Sequence, residues 1–342
     1  MSDNPINTPK HTDEDTVDHA IRPRVLADFV GQKTLKEKFS IYLASAKKRA
    51  DPLDHVLFYG PPGLGKTTLA AICANEMGVT MKSMSAPAID HAGDLASVLT
   101  TLKEGDVFFI DEIHRLKSQV EEILYSAMED FFVDIKVGEG IGAKNFRVPL
   151  PKFTLIGATT RAGMLSSPLY HRFGIVERLN YYDETELSEI VKRSARLLAI
   201  PLAADAAGLI ARRSRGTPRI VNRIIRRIRD YAVVKADGTI TAQLSEEALT
   251  LLGIDERGLD ALDKKYLTVI IEHYAGGPAG LETMAVSLSE DAETVEDVIE
   301  PYLIQCGFIK RTAKGRVASA LAYRHLGVKT VTDMFGEQDG NT

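Results

Sequence analysis

One stretch constrains the fold more than any other: Gly60-Pro61-Pro62-Gly63-Leu64-Gly65-Lys66-Thr67 fits the phosphate-binding pattern G-x-x-x-x-G-K-S/T. Glycines in such a loop let backbone N–H groups approach phosphate oxygens, because no Cβ stands in the way. The run 55–59 predicts a buried strand before the loop, and 68–73 predicts an apolar helix after it. A chance glycine-rich turn would rarely have both flanking elements, so the stretch predicts a nucleotide site.

The side chains of this loop have distinct predicted roles. Lys66 would reach the β- and γ-phosphates of ATP, and the Thr67 hydroxyl would hold Mg²⁺. Gly63, Gly65 and Thr68 complete the predicted ATP-binding set, and the positive N-terminal end of the following helix would face the same phosphates.

A second strand is predicted at 107–110, and two acids, Asp111 and Glu112, follow it directly. Ligands of an open α/β sheet bind at the carboxyl ends of its strands. We therefore expect Asp111 to hold Mg²⁺, through water, and Glu112 to orient and polarise the attacking water. The alternative is a strand that ends in solvated acids, which is common for an isolated pair. The P-loop upstream favours the catalytic interpretation.

The order of elements predicts the fold class. Strands alternate with helices up to about Asp183, which indicates a parallel sheet with helices on both faces. An alternating segment, 132–153, interrupts this order as a β-hairpin, and helices replace strands after Asp183. The last third reads as short helices followed by a small hairpin, which is typical of a winged helix. The predicted class is thus an α/β P-loop NTPase with a helical lid and a C-terminal winged-helix domain.

The predicted boundaries follow from these changes of pattern. They are a polar, disordered tail at 1–20, a large ATPase domain at 21–183, a helical lid at 184–255, a winged-helix domain at 256–330 and a flexible tail at 331–342. Local signals add a helix from about Lys33 to Arg49, a capping box at Ser118-Gln-Val-Glu121 and a helix that starts at Thr217-Pro218.

Composition excludes some classes of protein. The net charge of −5 argues against a uniformly basic nucleic-acid-binding surface, though it allows local basic patches. No apolar run reaches the roughly 18 residues of a membrane span. Cys73 and Cys306 fit no metal or redox spacing and lie in apolar patterns, so we expect buried thiols in a reducing, cytoplasmic compartment.

Basic residues concentrate near the C-terminus. Residues 302–330 contain six Lys or Arg and no acid, and Lys310, Arg311, Lys314 and Arg316 surround Gly315 in the predicted hairpin. A positive cluster without a nearby acid predicts an anionic partner, and indifference to sequence would mean contacts with DNA phosphates. A winged helix that binds another protein is the alternative.

Several further blocks, together with the P-loop and the Asp111-Glu112 pair, resemble the RuvB family of AAA+ ATPases, the bacterial motors of Holliday junction branch migration. The resemblance runs from about Ile21 to Gly327. It rests on Asp54-His55, Gly93-Asp94-Leu95, residues 109–116, residues 127–131, residues 157–163, residues 215–220 and residues 301–305.

The resemblance implies roles that spacing alone does not. Thr160 would sense the γ-phosphate, Arg219 would report the nucleotide to the lid, and Arg172 would be an arginine finger for the neighbouring subunit. Arg311 and Arg316 would contact double-stranded DNA. The 132–153 hairpin, with Ile141 at its tip, would bind RuvA, while RuvC would resolve the junction and the motor would form a ring, as a hexamer. The nucleotide pocket would be lined by Ile21, Arg22, Glu129, Asp130, Phe131 and Tyr182.

Three functions fit these features. The first is an ATP-driven DNA translocase that acts as a ring on Holliday junctions. The second is an AAA+ loader that uses ATP as an assembly switch, and the third is a winged-helix adaptor with a vestigial nucleotide fold. The intact Lys66, Thr67, Asp111, Glu112 and Arg172 count against the third. The chain departs from the family pattern at Tyr170 and Ala292, where relatives usually have arginine, and neither position removes a catalytic group.

Overall fold

A computed structural model describes residues 21–137 and 144–328 of the 342-residue chain. The predicted Ile141 and both predicted tails lie outside the described residues. A five-stranded parallel sheet organises the first part of the chain. Its strands are β1 (Val56–Tyr59), β2 (Met81–Ser85), β3 (Val107–Asp111), β6 (Thr154–Thr159) and β7 (Ile175–Arg178). They lie side by side in the order β2-β3-β6-β1-β7. The predicted α/β class with a parallel sheet is confirmed.

The central strands form because their residues are apolar on both faces. Residues 56–58 of β1 and nearly all of β3 and β6 are buried, as expected of strands covered by helices on both sides. The sequence did not predict β2 or β7. Both are edge strands, and β2 is partly exposed and contains the polar residues Lys82, Ser83 and Ser85, so it lacks the apolar run that reveals a buried strand.

Helices pack against this sheet and bury their apolar side chains. The predicted helix Lys33–Arg49 is confirmed with the same bounds, and Leu35, Phe39, Leu43 and Ala46 form its buried face. The helices of this region are α1 (Lys33–Arg49), α2 (Lys66–Met77), α3 (Ala92–Leu99), α4 (Ser118–Glu129), α5 (Ser167–Tyr170) and α6 (Glu184–Leu197).

The predicted capping box at the start of α4 is wrong. The helix begins at Ser118, so Lys117 is its N-cap and makes no side-chain capping bond. Glu121 is buried instead, and its carboxylate accepts a hydrogen bond from the Tyr125 hydroxyl at 3.1 Å. The Glu121 side chain therefore makes a buried contact within the fold, and it does not cap the helix as the local pattern predicts.

The predicted hairpin is confirmed as two antiparallel strands outside the main sheet, β4 (Phe132–Val137) and β5 (Lys144–Pro149). At its base Val133 is fully buried, while Phe146 on β5 keeps 51% of its surface exposed.

By compactness, the described chain divides into two units. The first contains the residues up to Ala199 together with Thr217–Asn222, and the second contains Ile200–Gly216 and the residues from Arg223 onward. The predicted boundary at 183 does not coincide with this division, because α6 belongs to the first unit. Asp183 caps α6 as expected, accepting a hydrogen bond from the Glu186 N–H at 2.8 Å.

The second unit holds lid helices and the winged helix. Its lid elements are α7 (Ala206–Arg212), α9 (Ala242–Leu251) and most of α8. Helix α8 spans Pro218–Lys235, and the residues from Arg223 on belong to this unit. The winged helix contains α10 (Ala261–Glu272), α11 (Leu281–Leu288), α12 (Ala292–Thr294), a π-helical turn (Val295–Ile299), α13 (Glu300–Gln305), β8 (Ile309–Thr312), β9 (Gly315–Ala318) and α14 (Ala320–His325). The lid and winged-helix domains of the predicted fold class are therefore confirmed.

Ion pairs join the two parts of this second unit. The Arg215 guanidinium lies 2.5 Å from an oxygen of the buried Asp263 and 2.8 Å from one of Asp260, both at the start of α10. His325 of α14 meets Asp255 at 2.9 Å. Arg215 itself has a left-handed backbone, with φ at +54°.

The described helices bear on membrane spans and on the environment of the two cysteines. Across the described ranges, every helix is too short or too polar to span a bilayer. Cys73 is fully buried, and burial raises the pKa of its thiol to about 12. Cys306 is only half-buried, because it sits at the edge of the winged-helix core, so the expectation of full burial is wrong for this residue.

Candidate functional site

The P-loop has the geometry that its glycines predict. It connects the carboxyl end of β1 to the start of α2, and Gly63 and Gly65 take φ values of +79° and +105°. A Cβ at Gly65 would lie 3.1 Å from the Phe29 ring, and one at Gly63 would lie 3.1 Å from the Arg219 Cβ. Both positions therefore combine a left-handed backbone with close neighbours, which only glycine tolerates without strain.

Lys66 is the buried cation of this loop. Its ammonium donates to the carbonyl oxygens of Gly60 at 2.7 Å and Pro61 at 3.0 Å. Burial lowers the pKa of Lys66 to about 8, although the nearby Glu112 and Asp111 carboxylates oppose this change. A phosphate group at the loop would raise the pKa of Lys66 again, because a nearby negative charge stabilises the charged ammonium, so the site favours an anionic ligand.

Two carboxylates face the loop from the end of β3. The Glu112 N–H donates to Asp111 Oδ1 at 3.0 Å, and both residues line the same pocket as Lys66 and Thr67. Burial, and then the charge of Glu112, raise the pKa of Asp111. A cation beside Asp111 would relieve this effect, and carboxylate and hydroxyl oxygens are ligands that Mg²⁺ accepts. Asp111 and Thr67 therefore fit the predicted metal.

The side chain of Glu112 is held at the end of the neighbouring strand. Its Oε2 accepts from the Thr160 hydroxyl at 3.2 Å and lies 3.3 Å from His114 Nδ1. His114 in turn lies 2.9 Å from the Thr159 hydroxyl. Thr160 thus touches the predicted catalytic carboxylate, although it does not line the pocket itself.

The remaining wall of the pocket comes from three distant parts of the sequence within the first unit. The Tyr182 hydroxyl donates to Leu64 O at 3.1 Å, and Arg193 of α6 donates to Ile21 O at 2.5 Å. The described lining comprises Ile21, Arg22, Pro23, Asp28, Phe29, Val30, residues 62–68, Asp111, Glu112, Tyr182, Ile190, Arg193, Ser194, Pro218, Arg219 and Asn222. The pocket therefore brings together every predicted nucleotide-binding residue except the 129–131 segment.

Glu129, Asp130 and Phe131 lie elsewhere. Phe131 packs against the rings of His55 and Phe153, which precede β1 and β6, whereas the P-loop follows β1. The 129–131 segment is thus at the amino end of these parallel strands, the opposite end of the sheet from Lys66. It does not line the pocket of its own chain.

Arg172 lies with this segment. Its guanidinium meets Glu129 at 3.1 Å, donates to Pro168 O at 2.8 Å and stacks over the Tyr125 ring at 4.4 Å. Arg172 Nε is buried without a hydrogen-bond partner among the described residues. Arg172 therefore forms a salt bridge with Glu129 of its own chain, and a purely structural role in this salt bridge is the alternative to an arginine-finger role.

The wing departs from the sequence-based expectation. Arg311 and Arg316 are opposite each other on β8 and β9, as predicted for a hairpin, but acids from the preceding helix approach both. Arg311 lies 2.7 Å from Glu300, and Arg316 lies 2.8 Å from the same carboxylate. Glu296 lies 3.3 Å from Arg311. The expectation of a basic cluster without a nearby acid is wrong, because the fold brings in carboxylates that lie outside 302–330 in sequence.

Sequence reasoning missed several residues of these sites. Arg193 donates a hydrogen bond to Ile21 O, and His114 contacts Glu112. Neither residue belongs to a sequence motif whose spacing would identify it. The spacing of Glu296 and Glu300 does show that they share one face of a helix, because they are four residues apart. Nothing in the sequence, however, indicates that this face contacts the wing.

Comparisons with known proteins agree with this geometry. Three family models match the chain: the RuvB Holliday junction DNA helicase P-loop domain at residues 21–179, the RuvB AAA lid domain at 182–255 and the RuvB C-terminal winged-helix domain at 256–327. The solved structure of Thermotoga maritima RuvB, described as a Holliday junction branch migration motor, is 48% identical. It matches with a TM-score of 0.83 over 91% of this chain and 99% of its own. A point mutant of the same organism's RuvB is 49% identical, with a TM-score of 0.84 over 90% of this chain and 99% of its own. The chain belongs to the RuvB family of Holliday junction DNA helicases.

Proposed function

We propose that the chain is an ATP-hydrolysing motor that moves double-stranded DNA and drives branch migration of Holliday junctions. The observation that carries this proposal is a pocket in which the P-loop ammonium of Lys66 lies with Asp111 and Glu112, in a chain that also has the winged helix of the RuvB family. The loader and adaptor alternatives lack such support, because the family descriptions name a helicase.

Hydrolysis would use the groups already placed in this pocket. Lys66 binds the β- and γ-phosphates, while Glu112 orients the attacking water and draws off its proton. Thr160, bonded to Glu112, is positioned to report the γ-phosphate to that carboxylate. Thr67 and Asp111 would hold Mg²⁺, which when bound supplies charge that offsets the phosphates. The chemistry is positioning and electrostatics rather than covalent catalysis.

Recognition of the nucleotide would involve the rest of the wall. Ile21 and Arg22 form one side, and Tyr182 supports the loop from below through Leu64 O. Arg219 lies beside Gly63 at the start of α8, where contact with the phosphates would tie the lid helix to the state of the nucleotide. The mixed polar and apolar lining of the pocket suits a base and ribose at one end and phosphates at the other.

Arg172 and the 129–131 segment would act on the nucleotide of a neighbouring subunit. Both lie at the end of the sheet that is opposite their own P-loop, and Arg172 is ion-paired with Glu129. A chain that offers these groups at one end and a pocket at the other would assemble head-to-tail, and such interfaces form a ring when the rotation between subunits closes. We propose a hexameric ring on this basis and on family membership.

DNA would bind at the wing. Arg311 is 42% exposed on β8, and Lys310 and Lys314 are exposed on the same hairpin. A motor must hold any sequence, so the contacts of Arg311 and Arg316 would go to phosphates. The partners would be RuvA, at the predicted 132–153 hairpin whose Ile141 lies outside the described residues, and RuvC at the resolution step. The compartment would be the bacterial cytoplasm.

The test is branch migration of a synthetic four-way junction by the purified protein, with and without RuvA. The motor should convert the junction to products only with hydrolysable ATP and Mg²⁺, and DNA should stimulate its ATPase activity. A protein that hydrolysed ATP on DNA without moving the junction in either condition would be a loader. One that bound DNA without hydrolysis would be an adaptor.

A further inference from the structure

The wing hairpin carries an internal ion-pair network. Arg311 and Arg316 are direct neighbours across β8 and β9, where two like charges would repel. A single carboxylate separates them: Glu300 lies 2.7 Å from Arg311 and 2.8 Å from Arg316. The Tyr266 hydroxyl donates to the same carboxylate at 3.1 Å. Glu300 is completely buried, so this carboxylate holds both arginines in place from within the domain.

Glu296 adds a second carboxylate on the outer side. It precedes Glu300 by four residues, in the π-helical turn, and lies 3.3 Å from Arg311 and 3.9 Å from Arg316. Two arginines and two glutamates give the network a formal charge of zero. The wing thus presents its arginines already neutralised, although a surface built only to hold phosphates would leave them positive.

Exposure divides the network into an inner and an outer pair. The side chains of Glu300 and Arg316 are 0% and 14% exposed, whereas those of Glu296 and Arg311 are 29% and 42% exposed. A buried pair of this kind is costly to break, because separation would leave an unpaired buried charge. An exposed pair is weak and readily exchanged. An approaching phosphate therefore meets the outer pair, Glu296 and Arg311.

We propose that Glu296 competes with DNA phosphate for Arg311 and thereby lowers the affinity of the wing for duplex DNA. This inference rests on the proposed DNA-binding function. To pair with Arg311, a phosphate must displace the Glu296 carboxylate and then tolerate its negative charge a few ångströms away. Both effects weaken the contact, and among variants of one interface a weaker contact is usually one that dissociates faster, which suits a motor that must release the backbone at every step.

The test is the Glu296→Gln variant of the full chain, which keeps the shape of the side chain and removes its charge. Its dissociation constant for a short fluorescent duplex is measured over a series of salt concentrations. We expect binding about two- to fivefold tighter than the parent, the range of one exposed ion pair. The fall of affinity with salt should also steepen, by up to about 0.9 in log K per log[salt], as Arg311 neutralises a phosphate more fully.

A matched control separates local competition from net charge. Glu282, exposed on α11, belongs to none of the ion pairs of Arg311 and Arg316 in the described part of the domain. Glu282→Gln makes the same change of net charge and should leave affinity near the parent value. Glu296→Asp retains the charge and should also bind like the parent. Equal tightening in Glu282→Gln, or unchanged binding in Glu296→Gln, would overturn the proposal.

A double-mutant comparison distinguishes this inference from the proposed function itself. Arg311→Ala should weaken binding, and in that background Glu296→Gln should tighten it much less than in the parent, because the nearer arginine partner of Glu296 is gone and only the more distant Arg316 remains. If Arg311→Ala left binding unchanged, the proposed DNA contact would fail and the competition with it. If Arg311→Ala weakened binding while Glu296→Gln tightened both backgrounds equally, the DNA contact would stand and only the competition would fail.

Discussion

Glu112 combines a left-handed backbone, with φ at +48°, and a side chain bonded to the end of the adjacent strand. Such a conformation costs a non-glycine residue about 1–2 kcal/mol, and it persists where the surroundings hold it. Here the Glu112 N–H donates to Asp111 Oδ1, and the carboxylate meets Thr160 and His114. The strain and the contacts together fix the direction in which the carboxylate points, which is what orientation of a water molecule requires.

Glu112→Gln should bind ATP nearly as well as the parent and hydrolyse it about 10²–10⁴-fold more slowly, because an amide cannot accept the proton of the attacking water. Lys66→Ala is the contrasting variant and should lose ATP affinity, since the buried ammonium is removed. Nucleotide affinity and single-turnover hydrolysis measure the two effects separately. Parental turnover in the Gln variant would show that another group is the catalytic base.

Arg193→Ala should weaken ATP binding about tenfold while leaving the rate at saturation close to the parent value. Arg193 donates to Ile21 O and touches no group in the reaction, so its loss should free the Ile21-Arg22 segment of the pocket. Arg196→Ala, a change on the same helix, is the control and should alter neither constant. A drop in the saturated rate would place Arg193 in the chemistry instead.

At this scale the sequence predicted the groups that share one short motif and missed those that meet through the fold. Lys66, Thr67 and Asp111 follow from a loop pattern and a strand end, because each is fixed by local backbone geometry. Arg193 and His114 act through single tertiary contacts with residues far away or on another element. No spacing rule encodes such contacts.

Among the elements, the buried strands were predictable and the edge strands were not. A strand covered on both faces, such as β6, must be a continuous apolar run, and that run is visible in the sequence. β2 is half-exposed and reads as a polar loop. Its place in the sheet comes from pairing with β3 along five residues, which is a property of the assembled sheet rather than of the segment.

The neutral imidazole of His55, which lies next to β1, forms hydrogen bonds to both β6 and α4. Its Nδ1 accepts from the Leu155 N–H at 2.8 Å, so Nε2 carries the hydrogen and donates to Met128 O at 3.0 Å. Burial lowers the pKa of His55 below its ordinary value of 6.5, although Asp54 and the Met128 carbonyl oppose this. A protonated ring could not accept from Leu155, so the neutral form is the one that joins β1, β6 and α4.

His55 should make the free energy of unfolding depend on pH. Because the folded pKa is lowered, the unfolded chain binds more protons below pH 6.5, and stability is complete above that value and lost as pH falls through the folded pKa. His55→Gln retains an acceptor and a donor without a titratable ring, so its stability should change less between pH 7.5 and about pH 5. Urea titrations at both pH values measure the difference. Equal pH dependence in the two proteins would exclude His55 as the source.

At the scale of the whole molecule, the predicted catalytic groups lie at two opposite ends of one sheet. The pocket gathers Lys66, Asp111 and Glu112 at the carboxyl end of the sheet, and Arg172 with Glu129 lies at the amino end. No rotamer of Arg172 could span a sheet whose strands run about 13 Å over four residues and then reach the γ-phosphate. If Arg172 contributes to hydrolysis, the nucleotide must belong to another subunit, and the ion pair with Glu129 holds the guanidinium until that subunit arrives.

Arg172→Ala should therefore bind ATP normally and lose about 10³–10⁵ in hydrolysis rate, the effect of an arginine finger in other phosphoryl-transfer enzymes. Neither it nor Lys66→Ala is active alone, but each retains what the other lacks: one has an intact pocket, the other an intact finger. In a random ring made from equal amounts, about a quarter of the head-to-tail interfaces pair an intact pocket with an intact finger, so ATPase activity should return on mixing.

Mixing Arg172→Ala with the Lys66→Ala/Arg172→Ala double variant is the control, and it should restore nothing because no subunit supplies the guanidinium. If mixed rings form, as shown by native mass spectrometry, and no ratio of the single variants restores hydrolysis, Arg172 is a structural partner of Glu129 and not a finger. Return of activity in the first mixture alone would mean that each active site is built from two chains.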